Sequence, residues 1–195
     1  MKNPYRWDNL TSPQIKKLSE EGAIVLVPVG STEQHGPHLP VGTDALMATS
    51  MSEKLAAALG QKGVPCVVAP TIAVANSTHH MSFAGSLTLR PETYLALLRD
   101  YCHSIASHGF CKILLVNGHG GNIAPTNTAL ISINEELGFP VYFTGYWQAS
   151  AQAEQEILET QKGMIHACEE ETSLVLALDD SLVDPIYKEI GRAHV

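Results

Sequence analysis

At 195 residues, with 45% hydrophobic and 16% charged content, the chain has the length and composition of one domain with a buried core. Its net charge is -8 and it has no Lys/Arg cluster, so nothing is available to hold a phosphate backbone and nucleic acid is excluded as a partner. No apolar run approaches the roughly 18 residues of a membrane span, and the opening MKNPYRWDNLTSPQ lacks the apolar stretch of a signal peptide, so no membrane partner is expected.

Ser12-Pro13 predicts an N-cap followed by proline at the first helical position, opening a helix that stops near Gly22. Residues 23–29 form an apolar run with the length of a buried strand. A loop follows, and Thr43 or Asp44 begins a helix whose apolar residues recur at helical spacing until Gly60. Residues 64–69 predict a second strand, and a long loop runs from 70 to 90. Pro91 starts a helix reaching about His108. Residues 111–116 are a third strand, and Asn117-Gly-His-Gly-Gly-Asn122 is a glycine-rich loop. A helix over 124–137, a strand over 141–144, a helical piece over 149–160 and a final helix over 166–178 complete the order. Strands alternating with helices through short connections argue for a three-layer α/β fold, a mainly parallel sheet flanked by helices. There is no internal repeat or linker, so residues 1–195 are expected to be a single domain. The end, residues 190–195, reads like a translated sequencing-adapter sequence, which implies C-terminal truncation past about Glu189. Cys66, Cys102, Cys111 and Cys168 form no C-x-x-C pair, and free thiols in a reducing cytoplasm are expected.

Three segments concentrate groups capable of chemistry. The first, VGSTEQHGPHLPVGTD over residues 29–44, has two acids, Glu33 and Asp44, and two imidazoles, His35 and His38, on a stretch that its glycines and prolines keep irregular. Glu33 and His35 are two apart, so an extended backbone points them to the same side. The second is His119 in NGHGGN. Both segments follow predicted strands, and in a parallel sheet both loops leave the same carboxyl edge. Glycines around His119 allow the backbone close to a metal or substrate, which makes Gly120 and Gly121 candidate substrate contacts. Imidazole plus carboxylate suits Zn, Mn or Fe, and an acid such as Asp44 can bridge two ions about 3.5–4 Å apart. The third segment is His166-Ala-Cys-Glu-Glu-Glu-Thr-Ser173, where a helix would put His166 on one face with Glu169 or Glu170. Plainer readings stay open for each. Asp44 could be a helix cap. The three acids could serve only the helix dipole. NGHGGN could be a phosphate-cradling nest, and His79-His80 could be surface residues. His38 is expected to shape its loop.

Together GSTEQHGPHLPVGTD, NGHGGN, the SxxHxxFxGS stretch and HAxExETS resemble the creatininase (creatinine amidohydrolase) family, over residues from about 13 to 178. The resemblance implies a creatininase-like fold, a binuclear centre of two divalent ions (Zn, Mn or Fe), a cytoplasmic location and a homo-oligomer, commonly a hexamer built as a trimer of dimers. It implies Glu33 and His119 as ligands of one metal, His35 as a ligand of the second and Asp44 as the bridge. His166 is similar to the family's catalytic histidine, Glu171 matches the acid of the ETS element, and His80 matches the histidine of the substrate-side loop. Creatininases have a glutamate two residues after the third-strand histidine, where this chain has Gly121; Glu169 is then expected to supply the missing carboxylate. The function implied is a metal-dependent amidohydrolase that cleaves a C–N bond of a small polar amide, a creatinine-like cyclic amide or a formamide, through a metal-bridging hydroxide. The rival expectation is an inactive metal-binding or assembly member. A nucleotide-binding reading of NGHGGN lacks the lysine and Ser/Thr of a P-loop.

Overall fold

The computed structural model describes residues 3–149, 151–161 and 163–190. The adapter-like end therefore lies, beyond Ile190, outside the described residues. Four strands form one sheet: β1 (Ile24–Val29), β2 (Cys66–Val68), β3 (Ile113–Asn117) and β4 (Val141–Gly145). Their order is β2-β1-β3-β4 and every pairing is parallel. Continuous apolar runs such as Val25–Val29 suit this arrangement, because a parallel sheet is covered on both faces.

Among the described residues there are six α-helices, α1 (Ser12–Glu20), α2 (Thr43–Gln61), α3 (Pro91–Ser107), α4 (Ile123–Leu137), α5 (Ala151–Ile157) and α6 (Glu169–Leu178), and α2, α3 and α4 supply most of that cover. Side chains alternate along a strand, so Val25, Val27 and Val29 face one way, into a core with Tyr94 and Leu98 of α3 and Leu130 and Ile133 of α4. Leu26 and Val68 face the other way, against Ala56 of α2. Further along α2, Met47 shares a smaller core with Leu39, Val183 and Val175 of α6. The expected three-layer α/β architecture is thus present.

The connection from β1 leads outward to β2, while the next one passes back over β1 to β3. That reversal opens a crevice at the carboxyl ends of β1 and β3. Val29 pairs with Asn117, so the two strands end level and release their loops side by side. Asn122 fastens these loops: its Nδ2 donates to the Gly30 carbonyl at 2.9 Å, and its Oδ1 accepts from the backbone N–H of Asn76 at 3.2 Å.

Several boundaries differ from the sequence expectation for local reasons. Thr11, not Ser12, is the N-cap of α1; its N–H donates to Gln14 Oε1 at 2.8 Å, and Pro13 falls at the second helical position. Residues 64 and 65 do not extend β2, because the Val64 N–H turns back to the Leu59 carbonyl at the end of α2. A 3-10 turn over Tyr146–Ala149 precedes α5, which ends at Ile157. The last helix begins at Glu169 instead of His166: Ala167 has φ +47 and Cys168 is extended, so helical geometry cannot run back through them.

Gly30 and Gly118 are required by close approach. A methyl at Gly30 would overlap the backbone of Ala45, and one at Gly118 the carbonyl oxygen of Asp44, so both loops press on the first turn of α2. Gly118→Ala is expected to cost about 1–3 kcal/mol in urea unfolding as that turn is displaced. Gly120→Ala, which meets nothing within 4 Å, should change stability by less than about 0.5 kcal/mol. Equal effects of the two substitutions would contradict the close-packing role of Gly118.

Candidate metal centre

The crevice gathers the ionisable groups. Asp44, in the first turn of α2, divides its carboxylate: Oδ1 lies 2.9 Å from His35 Nε2 and Oδ2 lies 3.0 Å from His119 Nδ1. Glu33 Oε1 is 3.2 Å from the same His119 nitrogen. On the other side Glu171 Oε1 is 3.7 Å from His35 Nε2. Glu33, His35, Asp44, His119 and Glu171 are all buried.

Each inner imidazole is oriented from behind. His35 Nδ1 lies 3.1 Å from the Glu33 carbonyl and His119 Nε2 lies 2.9 Å from the Asn76 carbonyl. Donation to these oxygens turns the opposite ring nitrogen of each toward the carboxylates, the usual second hydrogen bond of a metal-binding histidine. Glu33 is held likewise: Ser77 Oγ donates to its Oε2 at 2.5 Å and is itself paired with the Ser31 hydroxyl. Glu171 Oε2 accepts the Cys168 N–H at 3.2 Å, leaving Oε1 for His35.

The charges are strongly coupled. Burial alone would lower the pKa of His35 and His119, but Asp44 and Glu171 push His35 up to about 11, and Asp44 and Glu33 push His119 up to about 10. Burial opposes ionisation of Glu33, yet His119, Ser77 and His80 outweigh it and bring Glu33 down to about 2. Glu33 Oε1 and Asp44 Oδ2 nevertheless lack a hydrogen bond among the described residues although both are buried. Buried carboxylate oxygens converging on an imidazole nitrogen without such a bond fit a cation-binding site. Four groups of three ligand atoms occur here: Glu33-His35-Asp44, His35-His166-Glu171, Glu33-His80-His166 and Glu33-His79-His119.

The remaining histidines face outward. His166 Nδ1 is 3.5 Å from Glu33 Oε1, its Nε2 lies 2.8 Å from the Gln34 carbonyl, and its side chain is 25% exposed against 0% for His35. Burial, then the charge of His35, lowers its pKa. His80 Nδ1 is 3.2 Å from Glu33 Oε2, and the His80 and His166 rings lie 4.5 Å apart. His79 is exposed but stacks on His119. His38, by contrast, ties the first loop to α6 through Thr172 Oγ1 at 2.9 Å.

The structure corrects one ligand expectation. The Glu169 carboxylate turns away from the crevice and accepts the Glu159 and Thr160 N–H groups, each at 2.8 Å, because it sits on the outer side of the first turn of α6. Glu171 is the acid of that segment which reaches the cluster, and it does so with His166 outside the helix, not one turn away on it. Asp44 lies within the first turn of α2, and Gly42 is the cap residue. Gly121 is packed against the His119 ring and the Asn76 carbonyl, whereas Gly120 is open. Ser77, Asn76, Asn117 and Asn122 were not foreseen as supports. Ser77 had a signal in SxxHxxFxGS, but the Asn76 contact uses a backbone carbonyl and leaves none.

Comparison with known proteins places the chain in a family. The sequence model of the family described as Creatininase: Creatinine amidohydrolase matches residues 8–191. A mycofactocin precursor peptide peptidase of Mycobacterium ulcerans (strain Agy99) is 34% identical over 163 residues, which cover 82% of this chain and 60% of that protein. A creatinine amidohydrolase of Pseudomonas putida is 28% identical, with 86% of this chain and 69% of that protein covered. The chain thus spans about three fifths of the length of the first relative. A crystal structure of creatinine amidohydrolase superposes with a TM-score of 0.81 at 25% identity, over 92% of this chain and 74% of that one. From the match of the family model across nearly its whole length, the chain belongs to the creatininase family.

Proposed function

We propose that the protein is a metal-dependent amidohydrolase that uses two divalent ions to cleave the C–N bond of a small polar amide. The observation that supports this most strongly is the division of one buried carboxylate, Asp44, between two imidazole–carboxylate groups. Glu33 Oε1, His119 Nδ1 and Asp44 Oδ2 would hold one ion, and His35 Nε2, Asp44 Oδ1 and Glu171 Oε1 the other. Glu171 thereby takes the place of the carboxylate that Gly121 cannot provide. Zinc and manganese suit this ligand set, and solved creatininases include forms described as Mn and as Zn-Zn. When bound, the two ions supply Lewis acidity to a carbonyl oxygen and lower the pKa of water toward neutrality.

The chain's own groups do the rest. Its buried carboxylates and imidazoles would hold the two ions on the inner side of the crevice, which leaves the His80–His166 side for the substrate. His166, reachable from solvent and with its basicity lowered, takes a proton from water at Nδ1 as the oxygen adds to the carbonyl carbon. It returns that proton to the nitrogen as the C–N bond breaks, leaving a carboxylic acid and an amine. His80 stands beside His166 and would contact the substrate's polar end. The named relatives, a peptide peptidase and a creatinine amidohydrolase, share cleavage of an amide-type C–N bond, which favours short linear and cyclic amides as the substrate class.

The test is hydrolysis of a panel of formamides and small linear and cyclic amides. Turnover should vanish on chelation and return with Zn or Mn. His166→Ala should lower kcat by about 10²–10⁴ while metal content is unchanged, whereas His119→Ala should lose metal and activity together. No hydrolysis by the metal-replete chain, or wild-type turnover by His166→Ala, would overturn the proposal.

The elevated pKa values of His35 and His119 also set the sign of the pH dependence. Their charge-paired, metal-free state is favoured at neutral pH and is lost as pH rises through about 10 to 11. A metal must displace both protons, so apparent affinity should rise with pH through the neutral range, with about two protons released per chain. Calorimetric titration in buffers of different ionisation enthalpy measures this directly; affinity independent of pH would contradict it.

A further inference from the structure

Asp44 Oδ1 lies 2.9 Å from His35 Nε2, but Glu171 Oε1 is 3.7 Å from that nitrogen, beyond hydrogen-bond reach. His35 therefore does not hold Glu171 on the inner side of the crevice. The direction of Glu171 is set from behind, by the Cys168 N–H on its Oε2 at 3.2 Å and by the rotation of α6 about its own axis. Successive helical residues point about 100° apart, so a turn of one residue would aim a different acid at the centre. Hydrogen bonds on two sides hold that rotation. On the outer side, the Glu169 carboxylate accepts the Glu159 and Thr160 N–H groups, each at 2.8 Å. On the inner side, Thr172 Oγ1 lies 2.9 Å from His38 Nε2, and both residues are buried. His38 Nδ1 has no hydrogen bond among the described residues. A buried lone pair is tolerated better than a buried unpaired N–H, so the ring proton belongs on Nε2, which donates to the Thr172 oxygen. The seam continues past this bond. Val175, three residues on and on the same face of α6, shares a core with Leu39, and the Asp184 N–H donates to the His38 carbonyl at 2.9 Å.

His38 follows His35 on the same loop, and Thr172 follows Glu171 at the start of α6. The bond between them joins the backbone that carries one ligand of the second ion to the backbone that carries another, and it uses neither ligand. We infer that His38 and Thr172 are a positioning pair, whose hydrogen bond fixes the rotation of α6 so that Glu171 completes the second half of the metal centre. The inference rests on the reading of Glu171 as a ligand. It sets the two halves of the centre apart. Glu33 and His119 come from the loops after β1 and β3, which Asn122 fastens to each other without α6. Supports of this kind behind a ligand tune the affinity for an ion without touching it.

The test is zinc binding to the full chain after its metal has been removed, read by competition with a chromophoric chelator so that the two ions give two separate affinities. Thr172→Val keeps the shape of the side chain and loses the hydroxyl. It should weaken the second ion by about 10–100-fold and leave the first unchanged. Thr172→Ser retains the hydroxyl and should bind both ions as wild type does. His38→Asn, too short to reach Thr172, should repeat the selective loss, and Glu171→Gln gives the reference for loss of the ligand itself. Wild-type affinity for both ions in Thr172→Val and His38→Asn would overturn the inference. So would an equal loss of both ions, or a loss in Thr172→Ser as large as that in Thr172→Val. Binding of a single zinc ion by wild type, or of two ions with unchanged affinity by Glu171→Gln, would overturn the reading of Glu171 itself and the inference with it.

Discussion

Asp44 sits where three pieces of backbone meet: the first turn of α2, the loop after β1 and the loop after β3. Gly30 and Gly118 bring those loops against that turn at a distance no side chain would permit. The carboxylate then has one oxygen on His35 and the other on His119, and each histidine is backed by a carbonyl. The sheet fixes the separation of the loops, because β1 and β3 are neighbours ending in register. The geometry of the centre is therefore a property of strand pairing and glycine placement as much as of the ligands themselves.

Magnitudes indicate what this arrangement needs. Leaving a buried carboxylate uncompensated costs several kcal/mol. The dipole at the start of α2 favours an anion by only about 0.3–1 kcal/mol, too little to hold Asp44 there, and Glu33 has no such helix end. Imidazolium protons or bound cations must therefore supply the compensation, and both raised histidines and the lowered Glu33 reflect that demand. Protons and metal ions compete for the same inner nitrogens. Glu33 Oε1 and Asp44 Oδ2 both lean on the one His119 Nδ1, at 3.2 and 3.0 Å, so a single imidazolium proton serves two buried carboxylate oxygens. The half-exposed His80–His166 side is the face of the centre open to an approaching substrate.

Much of this was legible in the residues. The apolar runs before GSTEQHG and NGHGGN predicted parallel strands with their loops at one carboxyl edge; that the two strands are neighbours, which unites Glu33, His35 and His119, required the fold. The expectation that Asp44 bridges two ions rested on the motif resemblance, since a first-turn aspartate alone is equally compatible with helix capping. The failure at Glu169 has a physical cause. Three consecutive acids at a helix start differ by 100° steps in direction, and the turn at Ala167 sets which one faces inward. That turn is a left-handed alanine, which no pattern rule anticipates. The supports from backbone carbonyls, above all Asn76, leave no trace in side-chain identity. Asn117 and Asn122 were visible as loop residues, but their fastening of one loop to the other required the fold.

The most direct test of the binuclear centre is metal content per chain, by elemental analysis of protein purified without added metal, for wild type and Asp44→Ala. With Asp44 shared between two sites, wild type should contain about two first-row metal ions per chain, and the folded variant should lose both. A folded wild type without metal, or an Asp44→Ala variant that retains its full complement, would contradict the shared-carboxylate centre.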